Sequence, residues 1–184
     1  MEMEKKTVVF DKDGLTFTRM NTNHYKLTVS IENKNIVLSK VIDFGLIKLI
    51  YDLNTDIYEN FIFERINDNE ANVMLLMKNF FEDLGLSQKF SYLHIKKVIK
   101  DNEIVFKSQT IKSHRPIVPE DSELMEIQDM ENICTIISPH KVIFNYNIIF
   151  EEDVIIPQFV EKMAGTILNK IFKRVKQFIE NLRV

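Results

Sequence analysis

The sequence predicts an α+β fold in which an antiparallel sheet packs against one long C-terminal helix. Three observations carry this. Apolar residues recur at helical spacing from Pro157 to Leu182. Segments between residues 57 and 150 alternate in polarity between turn-forming clusters. The period also turns helical once earlier, over Val41–Leu53.

The C-terminal stretch is the strongest element. Val160, Met163, Ala164, Ile167, Leu168, Ile171, Val175, Phe178, Ile179 and Leu182 fall three or four residues apart, on one side of a helix. Lysines, Arg174, Glu161 and Glu180 fill the other side. Pro157 suits the first turn, where its missing N–H is no loss. At 1.5 Å per residue the segment is about 39 Å long. Phe159 and Phe172 widen its apolar stripe beyond a two-helix seam, so it calls for a broad surface such as a sheet. Gly165 in its interior marks either close packing or a gap beside a bound molecule, with packing the simpler reading.

The 184 residues suffice for one domain, 1–184, with a sizeable core. At 45% hydrophobic and 28% charged, the chain is not disordered, and a net charge of −3 gives no general pull toward nucleic acid. The lone Cys134 excludes an internal disulfide and fits a reducing, cytoplasmic compartment. No apolar run is long enough for a transmembrane segment, and the start, Met1 to Lys6, lacks a secretory core.

In chain order, Thr7–Phe10 is a short apolar run ending at the turn Asp11-Lys12-Asp13-Gly14. Leu15–Met20 and His24–Ile31 alternate as half-buried strands do, and Asn33-Lys34-Asn35 turns the chain into Ile36-Val37-Leu38. Over Val41–Leu53, Ile42, Leu46, Leu49, Ile50 and Leu53 suit a short helix. Ile57–Ile66, Ala71–Asp83, Gln88–Ile99 and Ile104–Ile111 then form a meander, joined partly through the similar turns Asn67-Asp-Asn-Glu70 and Lys100-Asp-Asn-Glu103. Ala71–Leu84 also fits a helix through Val73, Met77, Phe80, Phe81 and Leu84; the neighbouring turns favour strand. Lys112–Ser122, with Pro116 and Pro119, reads as a flexible edge or lid in which His114-Arg115 could meet an anionic head group. Leu124–Met130, Ile133–Ile137 and Val142–Phe150 complete the strands, the last two as a hairpin across Ser138-Pro139-His140. Phe144, Tyr146 and Ile148 share one face of the last strand, while Asn145 and Asn147 make the other face wet.

Two stretches carry a family resemblance. Phe44–Phe61 looks like an early helix leading into a second strand, and Lys141–Leu182 like a final strand, a turn with Pro157 and a closing helix. Residues 35–182 thereby resemble the START-like (SRPBCC) helix-grip superfamily, which includes the Bet v 1-like and polyketide-cyclase-like proteins. Residues 1–33 are extra N-terminal strands relative to that plan. The resemblance implies a strongly curved sheet gripped by the last helix, with an apolar small molecule or lipid between them. The cavity side would be Phe144, Tyr146 and Ile148 facing Phe159, Met163 and Ile167. Solid core packing is the alternative for each of these six residues. No cofactor is implied, and a protein partner on the same fold without ligand is the second functional reading.

A third reading is enzymatic. Val8–Phe17 resembles the first motif of haloacid-dehalogenase-type phosphatases, which implies Asp11 as nucleophile and Asp13 as acid/base beside Mg²⁺. Ser39 and Glu151-Glu152-Asp153 resemble its later motifs. Against this, that family needs crossover helices for a parallel sheet, and none is evident between Asp13 and Ser39; Asp-Lys-Asp-Gly between two strands also reads as a hairpin turn. His24, His94, His114 and His140 show no metal-ligand spacing, so no metal site is expected.

Overall fold

A computed structural model of the chain describes residues 6–80 and 82–183. The chain starts with a hairpin, β1 (Thr7–Lys12) and β2 (Leu15–Arg19), followed by β3 (His24–Glu32). A 3-10 turn at Leu38–Lys40 leads into α1 (Gly45–Asp52). Then come β4 (Tyr58–Asn67), β5 (Glu70–Met77), β6 (Lys89–Lys100), β7 (Glu103–Thr110), the two-residue β8 (Glu123–Leu124), β9 (Ile127–Ser138), β10 (Lys141–Phe150) and α2 (Gln158–Asn181). The sheet order is β1-β2-β3-β10-β9-β7-β6-β5-β4, antiparallel throughout, with β8 added in parallel beside β6.

The local chemistry explains most elements. Asp13 and Gly14 both take positive φ, 57° and 77°, in the two-residue loop between Lys12 and Leu15. Such a loop matches the twist of a tight hairpin. Alternate residues of β3 (Tyr25, Leu27, Val29, Ile31) are buried, and those of β5 (Ala71, Val73) face the same core. Ala71–Leu84 is therefore strand as far as Met77, followed by a 3-10 turn at Glu82–Leu84; Phe81 lies outside the described residues.

Three other elements differ from expectation. Ile36-Val37-Leu38 joins no strand but leads into the 3-10 turn. The first helix starts only at Gly45, where Asp43 Oδ1 accepts from the Gly45 N–H. Most of the two segments expected between Leu124 and Ile137 forms one twelve-residue strand, β9, because it pairs with β10 on one side and β7 on the other.

The helix α2 packs on β1, β2 and β3 at one edge of the sheet, while α1 touches both α2 and β4 at the other. Just before β4, Asp56 receives bonds from Arg174 and Lys170 of α2. The two ends of this nine-strand path are thus both tied to α2, one by direct packing and the other through Asp56 and α1, so the sheet curls around the helix. A smaller cluster, Met74, Leu76, Phe90 and Tyr92, lies on the opposite face of the sheet. Residues 112–122 cover it: Arg115 stacks over Phe90 at 5.2 Å and donates to the carbonyls of Pro119 (2.7 Å) and Ser122 (2.8 Å). His114 Nε2 lies 2.9 Å from the Tyr92 hydroxyl. The expected lid is thus fastened to the face away from α2, and its guanidinium is engaged within its own loop.

Candidate ligand-binding site

The inner face of the sheet is built by register. Phe144 stands beside Cys134 and Tyr146 beside Asn132, while β7 adds Ile104 and Phe106 on the far side of Cys134 and Asn132. Phe144 and Tyr146 stack at 6.1 Å, and α2 lays Phe172 against Tyr146 at 4.8 Å. Burial pushes the Tyr58 phenol up to about 12 and raises that of Tyr146 as well, although both residues are only half-buried. They are surrounded by protein without being sealed. The Asn132 side chain beside Tyr146 lowers that phenol in part, and Asn132 Oδ1 is buried without a hydrogen-bond partner. Burial also raises the Cys134 thiol to about 12.

Toward the C-terminal end of α2 the space opens into an apolar cavity of about 250 Å³. Ile31, Val142 and Phe144 form its floor, Leu38, Ile42, Leu46 and Leu49 one wall, and Phe178, Ile179 and Leu182 the other. Asp43 is the single charged residue in this lining. A second cavity, of about 270 Å³, lies across the first turn of α1 and shares Asp43 and Gly45 with the first.

The six residues expected at the site separate into two groups. Phe144 lines the first cavity, Tyr146 continues from it along the inner face, and Ile148 and Ile167 are half-buried. Phe159 and Met163 are 50% and 36% exposed on an outer flank of α2. The helix is turned relative to the expected stripe, for its buried residues are Glu161, Gly165, Ile171, Phe172, Val175 and Ile179. Two side chains account for this. Gly165 lets Val9 and Phe10 of β1 come so close that an added Cβ would lie 3.3 Å from each. Glu161 is drawn inward by the Tyr25 hydroxyl (2.9 Å) and Arg19 (3.2 Å).

The sequence reading left the wall formed by Leu38, Ile42, Leu46 and Leu49 out of the site. The four- and three-residue spacing of Ile42, Leu46 and Leu49 was a usable signal, because these three suited a helix with one apolar face.

The phosphatase reading fails on architecture. Asp11 and Asp13 sit in an antiparallel hairpin, where Asp11 accepts from Thr16 Oγ1 (3.1 Å) and Asp13 pairs with Lys173 (3.2 Å). Among the described residues the sheet is antiparallel, not the parallel one that chemistry requires, and the single parallel pairing is β6 with the two-residue β8. Among the described residues no group of three or more His, Cys, Asp or Glu is placed to hold a metal ion, and no helix is long and apolar enough to cross a membrane.

No protein-family model and no curated protein matches this sequence. Solved structures do. The lipid transfer and protein localization domain of human StarD13 superposes with a TM-score of 0.70 at 11% identity, over 97% of this chain and 91% of that domain. Human STARD10 gives 0.67 at 9% identity, over 94% of this chain and 74% of that one. A STAR-related lipid transfer protein fragment from Xanthomonas axonopodis gives 0.64 at 12% identity, over 95% and 98%. Sequence identity this low leaves a shared backbone plan as the content of the match. From the sheet order, the closing helix and these superpositions, the chain has a helix-grip fold, the backbone plan of these START-related structures.

Proposed function

We propose that this protein is a non-enzymatic binding module that holds an apolar small molecule or a lipid chain between its sheet and C-terminal helix. One observation carries the reading: the cavity beneath the end of α2 is apolar on every wall, with one carboxylate at its rim. Its volume of about 250 Å³ lies just below the ~300–1,000 Å³ of common small-molecule pockets, so it suits one acyl chain or a small ring system. Binding would draw on apolar burial, about 25 cal/mol per Å² before association costs. Phe144, Tyr146, Ile148 and Ile167 extend the lining inward, where Asn132 Oδ1 offers an acceptor to a ligand hydroxyl or amide. Phe159 and Met163 provide an apolar flank at which a ligand first lands. The names of the StarD13 domain and of the Xanthomonas protein point to the same class of occupant.

Native mass spectrometry after gentle purification tests this, together with displacement of a fluorescent apolar probe. Bound mass or saturable probe uptake is expected, and Leu46→Trp, which fills the cavity, should reduce it at least tenfold. Wild-type protein that carries nothing and takes up no probe would overturn the proposal.

A second reading, a protein-interaction module on the same fold, is favoured by the exposed Phe159 and Met163, four residues apart on α2. Sedimentation of the protein alone and after Phe159→Ser separates the two readings. Self-association lost in the variant favours a protein partner, and a monomer that binds probe favours the ligand.

A further inference from the structure

The second cavity differs in character from the first. Phe44 and Phe63 form its floor, and Lys48, Arg65 and Lys97 stand around it, one each from α1, β4 and β6. Asp43 is the one carboxylate in its lining, and that group faces the Gly45 N–H at 2.7 Å. Lys97 is half-buried, with its Nζ 5.4 Å above the Phe44 ring and no carboxylate partner among the described residues. Lys48 and Arg65 pair with Asp52 and Asp68, both at exposed positions. Exposed pairs of this kind contribute little and exchange readily for another anion. Three cations over an aromatic floor complement an anion joined to an apolar body.

The two cavities meet at Asp43 and Gly45, so only the start of α1 separates an apolar chamber from a basic one. We propose that the ligand is a single-chain anionic amphiphile. Its tail occupies the apolar cavity, and its carboxylate or phosphate head is held by Lys97 and Arg65, with Lys48 in support. This inference rests on the apolar-ligand reading above and adds the chemical class of the head group.

Calorimetric titration of the full chain with decanoate, decyl phosphate, decanol and inorganic phosphate tests it, on wild type and on the Arg65→Gln/Lys97→Gln double variant. Both anionic chains should bind wild type at least tenfold more tightly than decanol, and inorganic phosphate should bind far more weakly than decyl phosphate. The double variant should lose the anionic advantage and keep its decanol affinity. Equal binding of decanoate and decanol by wild type would overturn the head-group site and leave the apolar reading standing. Inorganic phosphate binding as tightly as decyl phosphate would make this a free-anion site and also overturn the proposal. Failure of every chain to bind would overturn both readings.

Discussion

The Tyr25 hydroxyl donates to Glu161 Oε2 at 2.9 Å, inside the protein, and ties the first turns of α2 to β3. Arg19 reaches the same oxygen at 3.2 Å. A carboxylate only 5% exposed in the middle of an apolar contact is held there by these two donors. Glu161→Ala would leave a buried hydroxyl and a half-covered guanidinium unpaired, and should cost about 2–3 kcal/mol in urea unfolding. Tyr25→Phe keeps the Arg19 bond and should cost about 1 kcal/mol. Equal losses in the two variants would contradict this division.

The opposite end of α2 is capped from outside the helix. Asn33 Nδ2 donates to the carbonyls of Ile179 (2.6 Å) and Leu182 (2.9 Å) and is almost fully buried. Asn33→Ala should destabilise by about 2 kcal/mol, since terminal carbonyls then lack a donor. Asn33→Asp should be worse at neutral pH, because a carboxylate cannot donate and stands at the negative end of the helix dipole. Thermal melts of the three proteins give the order wild type, Ala, Asp.

Between these ends a charged strap crosses from α2 to the loop before β4. Arg174 contacts Asp56 at 2.5 Å and Lys170 contacts it at 2.6 Å. Hydrogen bonds from Arg174 and Lys170 hold the Asp56 carboxyl well below the usual carboxylate range. A lowered folded pKa means stabilisation that is present above the unfolded value near ~4 and lost as pH falls through the folded one. Asp56 is nearly half exposed, so solvent screening limits the effect to about 0.5–1 kcal/mol. Asp56→Asn should remove that amount at pH 7 and flatten the acid limb of the stability curve; an unchanged acid limb would contradict the assignment.

The alkaline limb has the opposite sign. Tyr25 and Tyr58 are both pushed up to about 12, chiefly by burial. Raised folded values mean stabilisation complete below the ordinary tyrosine value of ~10 and lost as pH rises through 12. Tyrosinate absorbance from these residues should therefore appear only with loss of the folded circular dichroism signal. Cys134, fully buried with its thiol raised to about 12, should resist maleimide until the same transition.

Gly165→Ala weighs helix propensity against contact. The substitution gains about 1 kcal/mol of propensity, but the new methyl meets Val9 and Phe10 at 3.3 Å. Both belong to an edge strand, which can give by a few tenths of an ångström, so the net change should stay within about 0.5 kcal/mol. Gly165→Leu cannot be accommodated in this way and should cost more than 2 kcal/mol.

Much of the fold was legible because its signals are local. The Asp13-Gly14 turn, the alternation of Tyr25, Leu27, Val29 and Ile31, and the helical recurrence from Val160 to Leu182 each depend on neighbours in the chain. The lining of the apolar cavity was legible in part. Phe144 and Tyr146 were readable as inward residues of the last strand, whereas the wall from Leu38 to Leu49 was readable as apolar but not as part of the chamber.

The sequence by itself determined the kinds of element, their order and the presence of a broad apolar face on the last helix, since periodicity is fixed by covalent spacing. The tertiary structure alone decided which part of that face turned inward. That rotation is set by groups far apart in the chain: Gly165 admitting β1, Glu161 answering Tyr25 and Arg19, and Arg174 reaching Asp56. Helical spacing constrains angles between residues of one helix and leaves the helix free to roll about its own axis, so only contacts with other elements fix the roll.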